Sequence, residues 1–161
     1  MNRTMLFQGV LLTIAFVGQL VITVLTYAQA PYAWLQNVGW FVLYLSALFG
    51  WWPMFALRRW GEVREGKGYI HTQTLVEKGP YAIVRHPQYL SGILLAVGLS
   101  FLSQHLVALF FGAVGAGMTV AGIQLEEAAN VEKFGDAYDS YAARVPRLNA
   151  VAGILRWLCR K

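Results

Sequence analysis

The chain has 161 residues, of which 57% are apolar and 13% are charged, against about 45–50% and 25% in soluble domains. No Asp, Glu, Lys or Arg occurs over residues 4–57, a run of 54, or over 86–125, a further 40. These runs exclude a disordered chain and a soluble domain, because a water-facing surface needs charge on every side. A membrane-spanning helix needs roughly 20 apolar residues in a row. We therefore predict an all-α integral membrane protein with a single membrane domain over 1–161.

The net charge of +5 comes from 13 Lys and Arg against 8 Asp and Glu. The basic residues fall into three blocks, and an even number of crossings between blocks places all of them on one side of the membrane. The positive-inside bias makes that side the cytoplasm, so both termini and the active site are expected there. Topology and anionic lipid explain the charge without a nucleic-acid partner. The basic residues are Arg3, then Arg58, Arg59, Arg64, Lys67, Lys78 and Arg85, then Lys133, Arg144, Arg147, Arg156, Arg160 and Lys161.

The first uncharged run predicts two transmembrane helices over 1–57. Residues 5–27 form an apolar stretch of 23 residues, which is longer than the roughly 7–15 of a secretory signal. Pro31 interrupts the pattern and predicts an outer turn over 28–36. The second helix is predicted over 37–57, and a cytoplasmic loop over 58–87 follows it.

The second uncharged run predicts a tight helical hairpin over 88–125, which brings the count to about four transmembrane helices. Its polar cluster Ser103-Gln104-His105 is the natural break and leaves a short first arm over 88–102. Small residues four apart allow close approach of helices. These pairs are Gly92 with Ala96, Gly112 with Ala116, and Gly117 with Ala121.

A cytoplasmic helical region is predicted over 126–161. Phe134, Tyr138, Tyr141 and Val145 recur at intervals of 4, 3 and 4 residues. That spacing predicts one amphipathic helix whose aromatic stripe packs against the hairpin or the membrane surface.

The segment before the hairpin has the features of an anion-binding helix terminus. Gly79-Pro80 predicts a turn, and Pro87 suits the first position of the following helix. The N-terminus of that helix favours an anion, beside which Arg85 and His86 add hydrogen-bond donors. The alternative is that these two residues only cap the helix and contact lipid headgroups.

Tyr81 and Tyr89 offer aromatic faces for a ring or a cation in the same segment. After the hairpin, Glu126 and Glu127 lie where a membrane helix would more usually carry Lys or Arg. Their carboxylates suit the ammonium and hydroxyl groups of a ligand, and the alternative is a solvated helix exit paired with Lys133 or Arg144. His71, His86 and His105 are isolated in the sequence, so no metal site is predicted.

A ligand that carries a carboxylate, an ammonium, a ribose, an aromatic base and a positive centre fits these groups, and S-adenosylmethionine is such a molecule. The two segments closely resemble the isoprenylcysteine carboxyl methyltransferase family and the related phospholipid methyltransferases over residues 75–148. The matching residues are Gly79-Pro80-Tyr81, Arg85-His86-Pro87, Tyr89-Leu90, Gly92, Glu126-Glu127, Glu132-Lys133-Phe134-Gly135, Tyr138, Tyr141 and Arg144-Val145-Pro146-Arg147.

The resemblance implies a membrane methyltransferase with a cytoplasmic S-adenosylmethionine pocket and a lipid-like substrate that enters from the bilayer. It implies that Arg144 lies near the acceptor, where it would orient a carboxylate, and that Glu126 or Glu127 would accept a proton from an amine. The chain is shorter than the eukaryotic members, so the acceptor is left open among a prenylated protein, a phospholipid and a small isoprenoid, and we expect a prokaryotic plasma membrane. The cofactor-binding residues that the motif implies are Pro80, Tyr81, Arg85, His86, Pro87, Tyr89, Leu90, Glu126 and Glu127.

Two other functions are compatible with the sequence. Membrane sterol reductases carry a similar Arg-His-Pro-x-Tyr segment and bind NADPH, although Glu126-Glu127 would repel the phosphates of a dinucleotide. A scaffold that has kept the fold without catalysis is the third interpretation.

Overall fold

The computed structural model describes residues 3–63, 65–69 and 71–159, with side chains from residue 6 onward. Arg64, Arg160 and Lys161, counted above among the basic residues, lie outside these ranges. All regular elements in the described residues are helical. They are α1 (Arg3–Thr26), α2 (Ala33–Trp60), α3 (Pro87–Ser103), α4 (Leu106–Phe134), α5 (Asp136–Arg144) and α6 (Ala150–Cys159), with 3-10 turns at Tyr27–Gln29 and Gly79–Ala82.

Three helical segments in the described residues are long and apolar enough to span a membrane. They are Leu6–Gln29, Ala33–Trp60 and Leu106–Phe134. Helix α3 is also apolar but has only 17 residues. The all-α prediction is thus confirmed for the described residues, three helices have the length and composition of membrane spans, and a fourth span stays a prediction.

Three predicted helix boundaries are wrong. Helix α2 begins at Ala33 rather than at residue 37, because the Tyr32 carbonyl already accepts hydrogen bonds from the amides of Leu35 and Gln36. It also continues to Trp60, three residues beyond the predicted end. The break between α3 and α4 leaves Ser103 inside α3, and Gln104 turns the chain with φ of 51°.

The chain divides into two compact units, 1–47 with 91–122 and 48–90 with 123–161. In the first unit, α3 contacts three other helices. Gln19 Nε2 of α1 donates to the Ala96 carbonyl at 2.7 Å, and Ser46 Oγ of α2 donates to the Ser91 carbonyl at 2.9 Å. A Cβ on Gly92 would lie 3.4 Å from Thr119 of α4. Helix α3 is therefore the inner helix of this unit.

The small-residue prediction holds at two of its three glycines. A Cβ on Gly112 would come within 2.5 Å of Gln19 Nε2 and 3.1 Å of Ser100 Oγ, and the space at Gly92 is filled by Thr119. At Gly117 nothing lies within 4 Å of an added Cβ, so the packing prediction is wrong there. Contacts of residue 92 with 119 and of 112 with 100 make α3 and α4 antiparallel neighbours.

In the second unit, the predicted amphipathic helix is divided between two elements. Phe134 ends α4, Gly135 turns with φ of 53°, and α5 ends before Val145. The aromatic stripe is buried, as its spacing predicts, but its partner outside α4 and α5 is the loop residue Leu75 rather than the predicted hairpin or membrane surface. Tyr138, Tyr141 and Val145 are each at most 5% exposed and form a core against Leu75 and Phe134.

Candidate functional site

The segment 79–87 is shaped by one glycine and two prolines. Gly79 has φ of 63°, and a Cβ there would lie 3.0 Å from the Trp60 ring, so only glycine fits. Pro80 follows inside the 3-10 turn and is buried. Pro87 is the first residue of α3, as predicted. The turn and the helix start fix the backbone positions of Tyr81, Arg85 and His86.

The backbone of this segment pairs with the chain after α5. The Arg85 amide donates to the Pro146 carbonyl at 3.0 Å, and the His86 amide donates to the Arg147 carbonyl at 3.2 Å. Tyr141 Oη donates to the Tyr81 carbonyl at 2.8 Å. The two motif segments, about 60 residues apart in sequence, are therefore joined in one structure.

Glu127 lies at the centre of a charged cluster. Its Oε1 lies 3.1 Å from Arg85 Nη1 and 3.2 Å from His86 Nε2, and Arg147 contacts both carboxylate oxygens. The Glu127 side chain is 15% exposed and that of His86 is 1% exposed. The carboxylate of Glu127 is thus already occupied by protein partners.

Glu126 has different surroundings although it is the next residue. Its carboxylate lies 3.6 Å from His86 Nδ1, its side chain is 45% exposed, and Tyr89 and Asn130 lie close to it. Consecutive residues on a helix point about 100° apart. Glu126 therefore faces a cavity while Glu127 faces the basic cluster.

That cavity has a volume of about 320 Å³, within the range of small-molecule sites. Polar, charged and aromatic groups line it together with aliphatic ones. No group of His, Cys, Asp and Glu in the described residues is arranged to hold a metal ion. The lining residues are Leu57, Thr72, Thr74, Leu75, Val76, Tyr81, Arg85, Gln88, Glu126, Asn130, Phe134, Tyr138 and Tyr141.

Three of the cofactor-binding residues predicted from sequence, Tyr81, Arg85 and Glu126, line this cavity. The others lie around it without lining it. His86 and Glu127 bond to each other, and the His86 ring packs edge-on against Tyr89 at 5.5 Å between centroids. The remaining residues outside the lining are Pro80, Pro87 and Leu90.

Arg144 also lies outside the cavity lining. Its Nη2 pairs with Glu77 Oε2 at 2.9 Å, and its Nε donates to the Ser140 carbonyl. The side chains of Arg144 and Glu77 are 43% and 37% exposed. This pair ties α5 to the loop that carries Thr72, Thr74 and Val76.

The tyrosines of the cavity are neutral hydrogen-bonding groups at physiological pH. Burial raises the pKa of the Tyr81 phenol well above its ordinary value, and the charge of Glu126 raises it further. Burial likewise raises the pKa of Tyr141, and that of Tyr138 is raised by burial and by Glu127. Their hydroxyls are therefore neutral groups that are able to donate and accept hydrogen bonds, as Tyr141 Oη does when it donates to the Tyr81 carbonyl.

Sequence reasoning missed the loop residues 72–76, Gln88 and Asn130. Asn130 follows Glu126 by one helical turn, so the spacing alone could have placed it on the same face. Gln88 lies inside the motif segment, next to Pro87. The loop residues have no periodicity or motif, and Lys133 holds this loop by donating to the Thr72 carbonyl.

The chain is similar to known proteins over the region that carries most of the cavity-lining residues. The family model for phospholipid methyltransferases matches residues 34–137, which is more than half of the chain. The chain is also 34% identical over 99 residues to the protein-S-isoprenylcysteine O-methyltransferase of Schizosaccharomyces pombe (strain 972 / ATCC 24843). That match covers 56% of this chain and 42% of the yeast protein, so the chain spans less than half the length of that relative.

No solved structure is significantly similar to the chain. The family match includes the segment 79–87, called the motif turn below, together with Glu126, Glu127 and Asn130. It ends before Arg144. The cavity and the charged cluster thus lie mostly within the matched region. The chain belongs to the phospholipid methyltransferase family.

Proposed function

We propose that the chain transfers a methyl group from S-adenosylmethionine to a lipid-like or isoprenoid acceptor at the cytoplasmic face of a membrane. The observation that carries this proposal is the cavity of about 320 Å³, in which Arg85 and Glu126 present opposite charges. A zwitterionic ligand needs that combination. The family membership gives the reaction class.

The residues of the cavity suit the cofactor group by group. Arg85 lines the cavity, and its guanidinium charge suits the amino-acid carboxylate of the cofactor. Glu126 suits its ammonium or its ribose hydroxyls, and Asn130 adds a donor and an acceptor on the same side. Tyr81 and Phe134 provide aromatic faces for the base or the positive sulfur.

S-adenosylmethionine, when bound, supplies an electrophilic methyl group for in-line displacement by the acceptor. The protein then needs no nucleophile of its own, and alignment of the two reactants supplies the rate enhancement. Glu127 acts indirectly in this proposal, because it fixes Arg85 and His86 beside the cavity. Neutral tyrosines limit water access without adding charge.

The acceptor-binding role of Arg144 is part of the proposal. An acceptor carboxylate would compete with Glu77 for the exposed guanidinium of Arg144. Binding of the acceptor would therefore replace the Glu77 carboxylate as the partner of Arg144. For an amine acceptor, Glu126 is the carboxylate that faces the cavity and would accept the proton. Glu127 is less suited, because three basic side chains already contact it.

The acceptor class is proposed from the relatives, whose names specify phospholipid and isoprenylcysteine. A prenylated protein, a phospholipid and a small isoprenoid all present an apolar tail beside a carboxylate or an amine. We further propose that α3, at roughly 26 Å long, crosses the membrane with α4. Four crossings would place both termini in the cytoplasm, and we expect a prokaryotic plasma membrane.

Ligand binding to the detergent-purified protein tests the cofactor. Calorimetric titration with S-adenosylmethionine is expected to give saturable binding, and titration with NADPH is expected to give none. Glu126→Gln should weaken binding, whereas Glu132→Gln, an exposed carboxylate on the same helix, should not. NADPH binding would instead indicate a reductase, and binding of neither would favour a non-catalytic scaffold.

Transfer of a radiolabelled methyl group to membrane lipid extracts then identifies the acceptor. Orientation is tested at Cys159, the only cysteine of the chain, which is exposed. An impermeant maleimide should label it in inside-out membrane vesicles and not in right-side-out ones. The reverse labelling would contradict the cytoplasmic placement.

A further inference from the structure

Helix α6, Ala150–Cys159, was not predicted as a separate element and has no role in the site described above. Its sequence contains five large apolar residues and a single charge, Arg156. Asn149 caps it, since Asn149 Oδ1 accepts a hydrogen bond from the Ala152 amide at 3.0 Å. The helix therefore has its own start signal and forms a distinct amphipathic segment.

One face of α6 packs against the motif turn. Gly153 is buried against the Ile83 carbonyl, where an added Cβ would clash with the backbone. Arg156 donates to the Ala82 carbonyl. Residues 153 and 156 are three apart and so lie on one side of the helix. This inner face of α6 supports the turn that carries Tyr81 and Arg85.

The opposite face is apolar and exposed. Val151, Ile154, Leu155 and Leu158 are 70%, 42%, 59% and 54% exposed. At 100° per residue these four side chains fall within about one third of the helix circumference. An apolar stripe of this kind is typical of a surface that is covered by a partner or by lipid.

The charge around this stripe favours anionic lipid over a protein partner. Residues 140–161 contain Arg144, Arg147, Arg156, Arg160 and Lys161 and no Asp or Glu. Arg144 and Arg147 pair with Glu77 and Glu127, so the basic residues that matter for α6 are Arg156 within it and, directly after it in the sequence, Arg160 and Lys161. Basic residues beside an apolar helix face are the combination that binds anionic membrane surfaces. The same chain has three described helices long and apolar enough to span a bilayer, which favours a lipid surface as the occupant.

We infer that α6 lies in the interface of an anionic bilayer, with Val151, Ile154, Leu155 and Leu158 among the lipid chains. Its inner face then holds the motif turn at the membrane surface through Gly153 and Arg156. This inference concerns the membrane contact of α6 and does not depend on the proposed methyl transfer.

Spin-label accessibility of the full chain in lipid nanodiscs tests the inference. A Cys159→Ser background receives one new cysteine in each variant. Leu155→Cys reports the outer face of α6, Ile14→Cys is the lipid control on α1 (55% exposed), and Asp139→Cys is the water control on α5. Power saturation with oxygen and with a polar nickel chelate distinguishes lipid from water at each label.

In nanodiscs of phosphatidylcholine with phosphatidylglycerol, the label at Leu155 should match Ile14, with high oxygen and low nickel accessibility. In phosphatidylcholine alone, its nickel accessibility should rise towards that of Asp139. Nickel accessibility equal to that of Asp139 in both lipids would overturn the inference in favour of a water-exposed helix. Protection from both oxygen and nickel would overturn it in favour of a protein partner or a second copy, and no dependence on phosphatidylglycerol would refute the anionic preference.

Discussion

His86 Nε2 lies 3.2 Å from Glu127 Oε1, and the two side chains are 1% and 15% exposed. This contact links the motif turn to the last long helix through a buried, charge-assisted hydrogen bond. The adjacent Glu126 has its carboxylate at the cavity instead. We therefore expect loss of the Glu127 carboxylate to affect stability and loss of the Glu126 carboxylate to affect ligand binding.

Glu127→Gln should lower the free energy of unfolding by about 2 kcal/mol, because it removes the charge that offsets the enclosed Arg85 guanidinium. Reversible unfolding in mixed detergent micelles measures this loss. Glu126→Gln is the matched control on the neighbouring, more exposed residue and should change stability much less. Equal destabilisation by both variants would contradict the division between the two carboxylates.

Glu126→Gln should instead weaken S-adenosylmethionine binding by roughly tenfold or more, since a hydrogen bond to a charged group contributes about 1.5–3 kcal/mol. Calorimetric titration gives the dissociation constant. Glu132→Gln should leave it unchanged. An unaltered constant in the Glu126 variant would show that this carboxylate does not contact the ligand.

Asn130→Ala tests a cavity residue that the motif does not include. Loss of one neutral hydrogen bond of about 1 kcal/mol should weaken S-adenosylmethionine binding by roughly fivefold. Asp136→Ala, an exposed residue outside the cavity lining, is the control. If the two variants bind equally well, Asn130 does not contact the cofactor.

The pair Arg144–Glu77 separates two roles for Arg144. If Arg144 binds an acidic acceptor, Glu77→Gln should lower the acceptor KM because it frees the guanidinium, whereas Arg144→Gln should raise it. If the pair only fastens the loop 72–77 beside the cavity, both variants should raise the KM for S-adenosylmethionine in the same direction. Steady-state kinetics with each substrate varied in turn distinguishes these results.

Tyr141 links stability to alkaline pH. Burial raises its pKa in the folded state above the ordinary value of 10.0, so the unfolded chain releases this proton at a lower pH than the folded one. Stability should therefore fall as the pH rises above about 10, because the folded state then binds more protons. Unfolding measured between pH 9 and 11 should show a shallower fall in Tyr141→Phe, and an unchanged slope would assign the effect to other groups.

The helical class and the two motif segments were predictable from local features. Uncharged runs predict membrane helices because charge is costly in lipid. Pro87 marks the start of α3 because the first residue of a helix does not need the amide hydrogen that proline lacks. The tyrosine stripe was predicted for the same reason, since its spacing matches one face of a helix. The single helix predicted through it was wrong, because Gly135 adopts a positive φ that the pattern of apolar residues does not show.

The separate roles of the individual site residues were not predictable from local features. Both carboxylates matched the motif equally, and only the packing of α4 against Arg85, His86 and Arg147 assigns Glu127 to the charged cluster. The cavity wall formed by Thr72, Thr74 and Val76 has no sequence pattern of its own. Its position depends on Lys133 and Arg144, which contact the loop from residues about 60 positions away.

The sequence by itself determined that the chain is helical, that it enters a membrane, and which segments contain charged groups. These properties follow from hydrophobicity and from backbone preferences, which act within a few residues. Only the tertiary structure decided which side chains face the cavity, which ones neutralise each other, and which apolar face of α6 is left exposed. Those outcomes depend on contacts between distant residues, whose geometry is set by packing and by the pairing of buried charges.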